Sequence, residues 1–575
     1  MKKANSKILK LISLLTVIAI VSVLLSVCLV ACNNDKQNTP SNGDDSSIGS
    51  PDDGNNDDNS GDDGSGDDNN NGDDNNGDDN NGDDDNKGDD DDDKDPDIDL
   101  DDVATLFNFY NDNLDIVVQG LKEEYSNLTK FTIPQGVTRI ASSAFENCTR
   151  LESVTLPDTL TEIGHRAFNG CTSLSEINVP ANVKIIGDSA FSNCSSLTEI
   201  KLPDGVTSLG EAAFANSRSL ANILIPDSIT SVYYNTFENT AWFNRQAEGV
   251  VYAGKFACAY KGEMGENTTL TFRDDTKGIG RSAFANSEKL VGVIIPSSVA
   301  VIENNAFFNC TALVSVDLPI GVTSVGFGVF ANCNSLTGIT VAEGNENYHS
   351  SGNCLIETKT KTLIAGCKSS VIPNDGSVTV IGTYSFHNCS ELVSRDIPRG
   401  VTTIGDSAFF GCKGLTSLTI ADTVTNIGTY AFLDCASLKS VTLPNSVTSI
   451  GGGVFSGCKE LASVTISSGI TSISSSMFSG CTSLTSVVIP QSVASIGSYA
   501  FEGCAALTAV TMYGDIAYIG SHAFSNCLEL AKIIFDGSAE QWSAINKELN
   551  WMTDTDSFTV ECGDGSTVTE PQQAE

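Results

Sequence analysis

The sequence predicts a solenoid of stacked coils, and three observations carry the prediction. Phenylalanine recurs every 23 residues: Phe145, Phe168, Phe191, Phe214 and Phe237, then Phe284, Phe307 and Phe330, then Phe386, Phe409, Phe432, Phe455, Phe478, Phe501 and Phe524. The apolar residues between them keep the same phase. Only two gaps, of 47 and 56 residues, interrupt the period. A fixed period of roughly 20–29 residues marks a repeat architecture in which each unit is too small to bury its own apolar face and must stack on its neighbours.

One unit runs through Leu151, Val154, Leu156, Pro157, Leu160, Ile163, Gly164, Ala167, Phe168 and Cys171. Val154 and Leu156 flank Thr155, the alternation of a short strand with one buried face. Pro157 has no N–H to continue a ladder and ends that strand. Gly occupies the Gly164 slot in eleven of the fifteen repeats, as a tight bend with a permissive backbone would require. Phe168 fills the coil interior. Parallel strands at about 4.8 Å spacing would stack fifteen such coils into a body on the order of 70 Å long.

These residues, typified by `LESVTLPDTLTEIGHRAFNGC`, resemble the BspA-like leucine-rich repeats, also called the Treponema pallidum type. The resemblance covers residues 128–545. It extends to two segments outside the period, `TAWFNRQAEGVVYAGKFACAYKG` and `NENYHSSGNCLIETKTKTLIAGCKSSVIPNDGSVTVIG`, and to the terminal `IIFDGSAEQWSAI`. It implies a curved leucine-rich repeat solenoid with the parallel β-strand of each 23-residue repeat on the concave face. It also implies display on a bacterial surface, where some members take part in adhesion to host matrix proteins.

The chain of 575 residues carries a formal charge of −41, unevenly placed. Residues 33–102 hold 28 Asp and 3 Lys, and therefore −25 of it. This Asp/Asn/Gly tract, the linker of residues 32–102, has nothing to bury and repels itself, which predicts a disordered spacer. Fully extended it would reach about 230 Å. Calcium loops also use Asp and Gly, but the tract lacks the closing Glu of an EF-hand. So acidic a chain is not a nucleic-acid binder, which needs a basic face.

Residues 1–31 read as an export signal: Lys2, Lys3, Lys7 and Lys10 precede an apolar run from Leu11 to Cys28. Cys32 directly follows Leu29-Val30-Ala31, which resembles the bacterial lipobox, where that cysteine is lipidated and becomes the mature N-terminus. The other readings are an ordinary signal peptide and an uncleaved anchor helix. A lipid would hold the protein on the outer face of the membrane without spanning it. Residues 103–127 are apolar enough to cap the first coil. The solenoid of residues 128–545 carries insertions near 240–268 and 342–375, and residues 546–575 form an end segment and polar tail.

A search for chemistry returns little. Twelve of the 18 cysteines stand three residues after the repeat Phe: Cys148, Cys171, Cys194, Cys310, Cys333, Cys389, Cys412, Cys435, Cys458, Cys481, Cys504 and Cys527. Ser217, Thr240 and Ser287 fill the same slot elsewhere. Neither the spacing nor any C-x-x-C suits zinc, so the slot reads as a small buried hydrophobe with a weak donor. Cys354 and Cys367 lie off this ladder in one insertion and are the pair best placed for a disulfide, which export permits without requiring. His165, His349, His387 and His522 read as exposed loop residues. No nucleophile elbow, H-E-x-x-H or P-loop occurs, and no catalytic residue, metal or cofactor is expected.

The outward strand positions offer a long, shallow binding surface: Glu152, Ser153 and Thr155; Ser175, Glu176 and Asn178; Thr416, Ser417 and Thr419; Thr485, Ser486 and Val488. They also suit an ordinary solvated strand face. Arg395 breaks the pattern by occupying the apolar slot of Val154, either because the insertion opens that coil or because an acid pairs with it. The insertions read as hairpins around Ala253-Gly254-Lys255 and around a Thr/Lys turn. They either protrude as specificity loops or supply strands that join the ladder. The resulting expectation is a lipid-anchored surface protein that binds a host protein or glycan. A self-associating structural component and an envelope-enzyme accessory module are the alternatives.

Overall fold

The structure, a computed structural model, describes residues 105–112 and 115–572; the signal segment, Cys32 and the acidic tract lie outside the described residues. The leucine-rich repeat solenoid is borne out, but each coil carries two short strands rather than one. The first is the expected strand, as at Ser153–Thr155, which pairs in parallel with Lys130–Thr132 and Glu176–Ile177. The second is the pair Glu162–Ile163, in parallel register with Arg139–Ile140 and Ile185–Ile186. Pro157 and the turn after it separate the two strands. Both ladders advance by one repeat, so residue i faces residue i + 23.

The rest of the coil is a chain of tight turns, and its hydrogen bonds alternate in direction. In the first Phe coil, Ser143, Phe145 and Asn147 donate their N–H groups to the next coil, to His165, Ala167 and Asn169 oxygens, at 2.7–2.8 Å. The intervening Ala144, Glu146 and Cys148 donate back within their own turn. This needs a left-handed backbone two residues after each Phe. All fifteen such positions have positive φ, and each is Asn, Gly or Asp, from Asn147 (59°) and Gly170 (76°) to Asp434 (56°) and Asn526 (57°). Those are the residues for which that conformation costs least.

The Gly164 slot has a different cause from the one expected. Gly164 does not adopt a left-handed φ; a Cβ there would lie 2.5 Å from the Ile140 carbonyl oxygen of the preceding coil. At Gly187, Gly210, Gly405 and Gly428 a Cβ would meet a backbone nitrogen of the preceding coil at 2.4–2.8 Å. Glycine is present because the backbones of neighbouring coils nearly touch, not because the chain bends there.

The phenylalanines stack through the interior. Phe168, Phe191, Phe214 and Phe237 lie parallel, with centroids 5.4–5.8 Å apart and planes within 4°. Phe386 to Phe524 continue the pattern at 5.0–5.9 Å. At the start, the hairpin of Phe107–Asp112 and Asp115–Leu121 pairs with Arg139–Ile140 and sets Phe107 edge-on against Phe145. At the far end, Trp551 stands edge-on to Phe524 at 6.0 Å, and Thr567–Glu570 pairs antiparallel with Phe558–Cys562. The polar tail therefore supplies an edge strand, and Glu570 accepts a 2.6 Å hydrogen bond from the buried Trp542 indole.

The cysteine slot proves to be a hydrogen-bond donor. Each thiol with a stacked Phe coil before it donates to the carbonyl of that coil's Phe: Cys171 to Phe145, Cys194 to Phe168, Cys412 to Phe386 and Cys504 to Phe478, all at 3.2 Å. Ser217 makes the same bond to Phe191 at 2.7 Å, and Thr555 makes it to Phe524 at 2.6 Å. That explains why Ser217 can stand in for Cys; Thr240, in the same slot, instead donates to its own coil's Phe237 carbonyl and caps the short helix that follows. Burial pushes the thiols up, Cys194, Cys458 and Cys504 to about 12, so they keep the proton they donate and are poor nucleophiles.

The insertions join the ladder and also divide the core. The hairpin Gly249–Ala253/Phe256–Lys261 pairs in parallel with Gly278–Ile279 through its second strand. Cys354–Glu357 and Thr362–Ala365 form the second hairpin, extended by Tyr348–Ser351, a strand the sequence reading missed. Alternate side chains of the first hairpin enter different cores. Val251, Phe256 and Cys258 pack with the N-terminal cluster, whereas Ala257, Tyr252 and Tyr260 pack with the middle one. In the second, Cys354 and Ile356 face the C-terminal cluster, while Leu355 and Cys367 face the middle one. Cys354 and Cys367, the pair best placed for a disulfide, are free thiols assigned to different cores.

Replacing Cys412 by Ala should lower stability by about 1–3 kcal/mol, the cost of a small void and of one lost hydrogen bond to the Phe386 carbonyl, which still accepts the Cys389 N–H. Cys412→Ser should cost less because it keeps the donor. Thermal denaturation of the two variants tests the order; equal losses would mean that the thiol acts only by its volume.

Candidate functional site

The outward strand positions are exposed as expected, Glu152, Thr155, Ser175, Glu176, Asn178, Ser417, Thr419, Thr485, Ser486 and Val488 among them, with Ser153 and Thr416 half-buried. Part of their polarity serves the backbone. Ser175 Oγ donates to the Glu152 carbonyl at 3.3 Å, Thr416 Oγ1 to Val393 at 3.0 Å, and Thr508 Oγ1 to Thr485 at 3.0 Å. Between these hydroxyls the slot of Thr155 presents aliphatic residues to solvent: Leu224 (64% exposed), Ile294 (57%) and Val488 (55%). The face mixes hydroxyls, a few exposed aliphatics and charged residues such as Glu152, Glu176 and Lys201, and its breadth suits a macromolecular surface better than a small molecule.

The junctions at the insertions hold the less regular side chains. Glu303 stands in the glycine slot beside the first insertion, where a missing coil leaves room. Its carboxylate accepts from Ser231 Oγ (2.6 Å), the Val232 N–H (3.1 Å) and the Arg281 N–H (3.0 Å). Arg281 in turn donates to the Tyr233 hydroxyl at 2.7 Å and lies over that ring. Burial holds the Glu303 carboxyl above its usual range despite these donors. The group is a clasp between coils 47 residues apart in sequence, as Tyr233 and Tyr234 bridge directly to Arg281.

Arg395 is buried at 9% exposure and finds no acid. Its Nη1 donates to the Ser370 carbonyl at 2.6 Å, and the guanidinium lies 5.3 Å from the Phe386 ring centroid. The coil is not opened: Ser394–Ile397 pairs with Ser417–Ile420 in full register. Arg395 replaces the usual aliphatic because the second insertion brings a backbone oxygen into the core that needs a donor. Burial depresses its pKa.

His387 departs most from the sequence reading. It is 9% exposed, stacked on Phe410 at 4.6 Å and 2°, and packed against Tyr384 (5.2 Å) and Phe308 (6.1 Å). Phe327, which is exposed, stacks on Tyr384 at 6.0 Å and continues this aromatic cluster along the turn side. The strand slots gave no sign of it; a signal lay in the residue after the repeat Phe, which is aromatic in Phe308, His387 and Phe410. His165 is the exposed loop residue expected, 3.8 Å from Asp188; His349 is instead half-buried in the strand Tyr348–Ser351, 3.0 Å from Thr358, and His522 is half-buried and stacks on Tyr499 at 5.0 Å.

Among the described residues no three His, Cys, Asp or Glu side chains converge as a metal site, and no helix is long and apolar enough to cross a membrane. The scaffold is of the kind that serves interaction rather than catalysis.

Burial lowers the His387 pKa from 6.5 to about 4. The unfolded chain then takes up this proton before the folded one does. Stability linked to His387 is complete above about pH 6.5 and is lost as pH falls toward 4, by roughly 1–3 kcal/mol. His387→Phe should retain that stability. Melting temperatures of both proteins across this range check it, and parallel pH profiles would refute it.

The family profile for the BspA type leucine rich repeat region matches residues 123–243, 258–375, 361–484 and 425–546, more than half of the chain. No curated protein matched the chain. Among solved structures, a leucine rich cell surface protein from Faecalibacterium prausnitzii is similar, with 25% identity over 77% of this chain and 96% of that one and a TM-score of 0.30. The pneumococcal vaccine antigen PcpA is 20% identical over 78% and 96%, with a TM-score of 0.33. The Treponema pallidum leucine rich repeat protein is 18% identical over 62% and 89%, with a TM-score of 0.17. By its profile, its period and its coil, the chain belongs to the BspA type leucine-rich repeat family.

Proposed function

We propose that this is a lipid-anchored protein of the bacterial cell surface whose solenoid binds protein or glycan partners, in adhesion or host contact. The carrying observation is the strand face: exposed, mostly polar side chains repeated along the stack, with aliphatics at Leu224, Ile294 and Val488, and no metal-holding group among the described residues. The address segment supports the rest of the reading. Cys32 after Leu-Val-Ala supplies a lipid attachment point, and the 28 Asp of residues 33–102 make a self-repelling spacer that would hold the solenoid away from the membrane. A host extracellular-matrix or cell-surface component is the partner class this arrangement suits. The competing reading, self-association into a structural layer, draws on the same strand face.

Two experiments test this. Unbiased capture of host proteins and glycans by the full chain should return a saturable partner; recovery of only further copies of the chain would favour the structural layer. Metabolic labelling with a fatty-acid probe should mark the wild type and not Cys32→Ala; persistent labelling of the variant would remove the lipid anchor at Cys32.

A further inference from the structure

At the first insertion the solenoid is splayed. Tyr233 and Tyr234 remain bonded to Arg281, but Phe237 and Phe284 no longer stack; Trp242 covers Phe237 at 4.7 Å and Phe272 covers Phe284 at 5.4 Å. The coils diverge from this clasp and leave a wedge-shaped cleft of about 600 Å³. Tyr234, Phe243 and Tyr260 form its aromatic lining, with Tyr234 49% exposed. Glu238, Glu263 and Glu288 stand around it, all exposed. No ion pair engages any of these three carboxylates among the described residues, whereas Lys289, the lysine of the lining, is held by Glu266 at 3.0 Å.

We propose that this cleft takes an arginine-bearing segment of a protein partner. The inference deepens the protein-binding reading and rests on it. Ring faces carry negative charge density, so a cation entering between Tyr234, Phe243 and Tyr260 gains from the rings and from the carboxylates together. A planar guanidinium can stack on a ring and bond a carboxylate in the same pose, which an ammonium cannot. The three carboxylates form no metal-holding group among the described residues. A neutral glycan would gain nothing from their charge. The cleft exceeds one side chain in volume, so residues flanking the arginine enter with it. The net negative charge of residues 103–575, apart from the acidic tract, favours approach of a basic partner.

The test uses the full chain and a fluorescent arginine tetrapeptide at physiological salt, with a citrulline tetrapeptide as the uncharged control. The acidic tract also attracts cations, so the comparison is between proteins that all retain it. The combined Glu238→Gln, Glu263→Gln and Glu288→Gln variant, and separately Tyr260→Ala, should each bind the arginine peptide at least tenfold more weakly, with citrulline binding unchanged. Circular dichroism establishes that each is folded; the Gln variant touches only exposed side chains and serves alone if Tyr260→Ala is not. Equal binding by wild type and Gln variant places all affinity on the tract and overturns the proposal. Chitotetraose binding that is lost in Tyr260→Ala and kept in the Gln variant also overturns it, in favour of a glycan site. If partners captured by the wild type bind the Gln variant equally well, the cleft fails while the protein-binding reading stands. If the wild type captures no protein, that reading fails whatever the peptide does.

Discussion

The close approach of successive backbones governs this molecule. Two β-ladders and the alternating turn bonds hold each coil to the next, and the Phe rings repeat at 5.0–5.9 Å. At that distance the repeat leaves little freedom. A side chain cannot fit where Gly164 lies 2.5 Å from a carbonyl through its would-be Cβ. Every second turn bond must point forward, so the residue after next from each Phe must be left-handed. The Phe carbonyl, turned inward and already accepting an N–H of its own coil, takes a second hydrogen bond from a thiol or hydroxyl of the following coil. Glycine, Asn or Gly, and Cys are three answers to one geometric demand.

The insertions show what happens when the demand is relaxed. With a regular coil missing, Glu303 occupies a glycine slot and accepts from the Val232 N–H, and Arg395 occupies an aliphatic slot and donates to the Ser370 carbonyl that the second insertion brings in. The partition strands that replace the coil have two apolar faces, which is why Ala257 and Cys258, adjacent in sequence, belong to different cores.

Much of this was legible from residue spacing. The period placed the Phe stack, the cysteine rungs, one strand per coil and both hairpin turns. The second strand was missed because it is only two residues long, as at Glu162–Ile163, too short to show alternation. The glycine was assigned to a bend because sequence reports a permissive residue without saying whether torsion or contact requires it. His387 and Arg395 were misread because part of what surrounds them, Phe308 and the Ser370 carbonyl, comes from before the regular run resumes, and the spacing of a repeat says nothing about a place where the repeat stops. The aromatic cleft at the first insertion is invisible for the same reason: it exists only because two coils diverge.

The alternating turn bonds carry a further consequence. Each coil donates forward and accepts from behind in the same way, so a unit of 23 residues can be duplicated or lost inside a run without changing the chemistry at either cut. Recombination between near-identical repeats can therefore lengthen or shorten the body in steps of about 5 Å, while the end pieces at Phe107 and Trp551 and the two partitions stay as they are. Over generations the reach of the protein is a countable quantity, adjustable independently of the surfaces it carries.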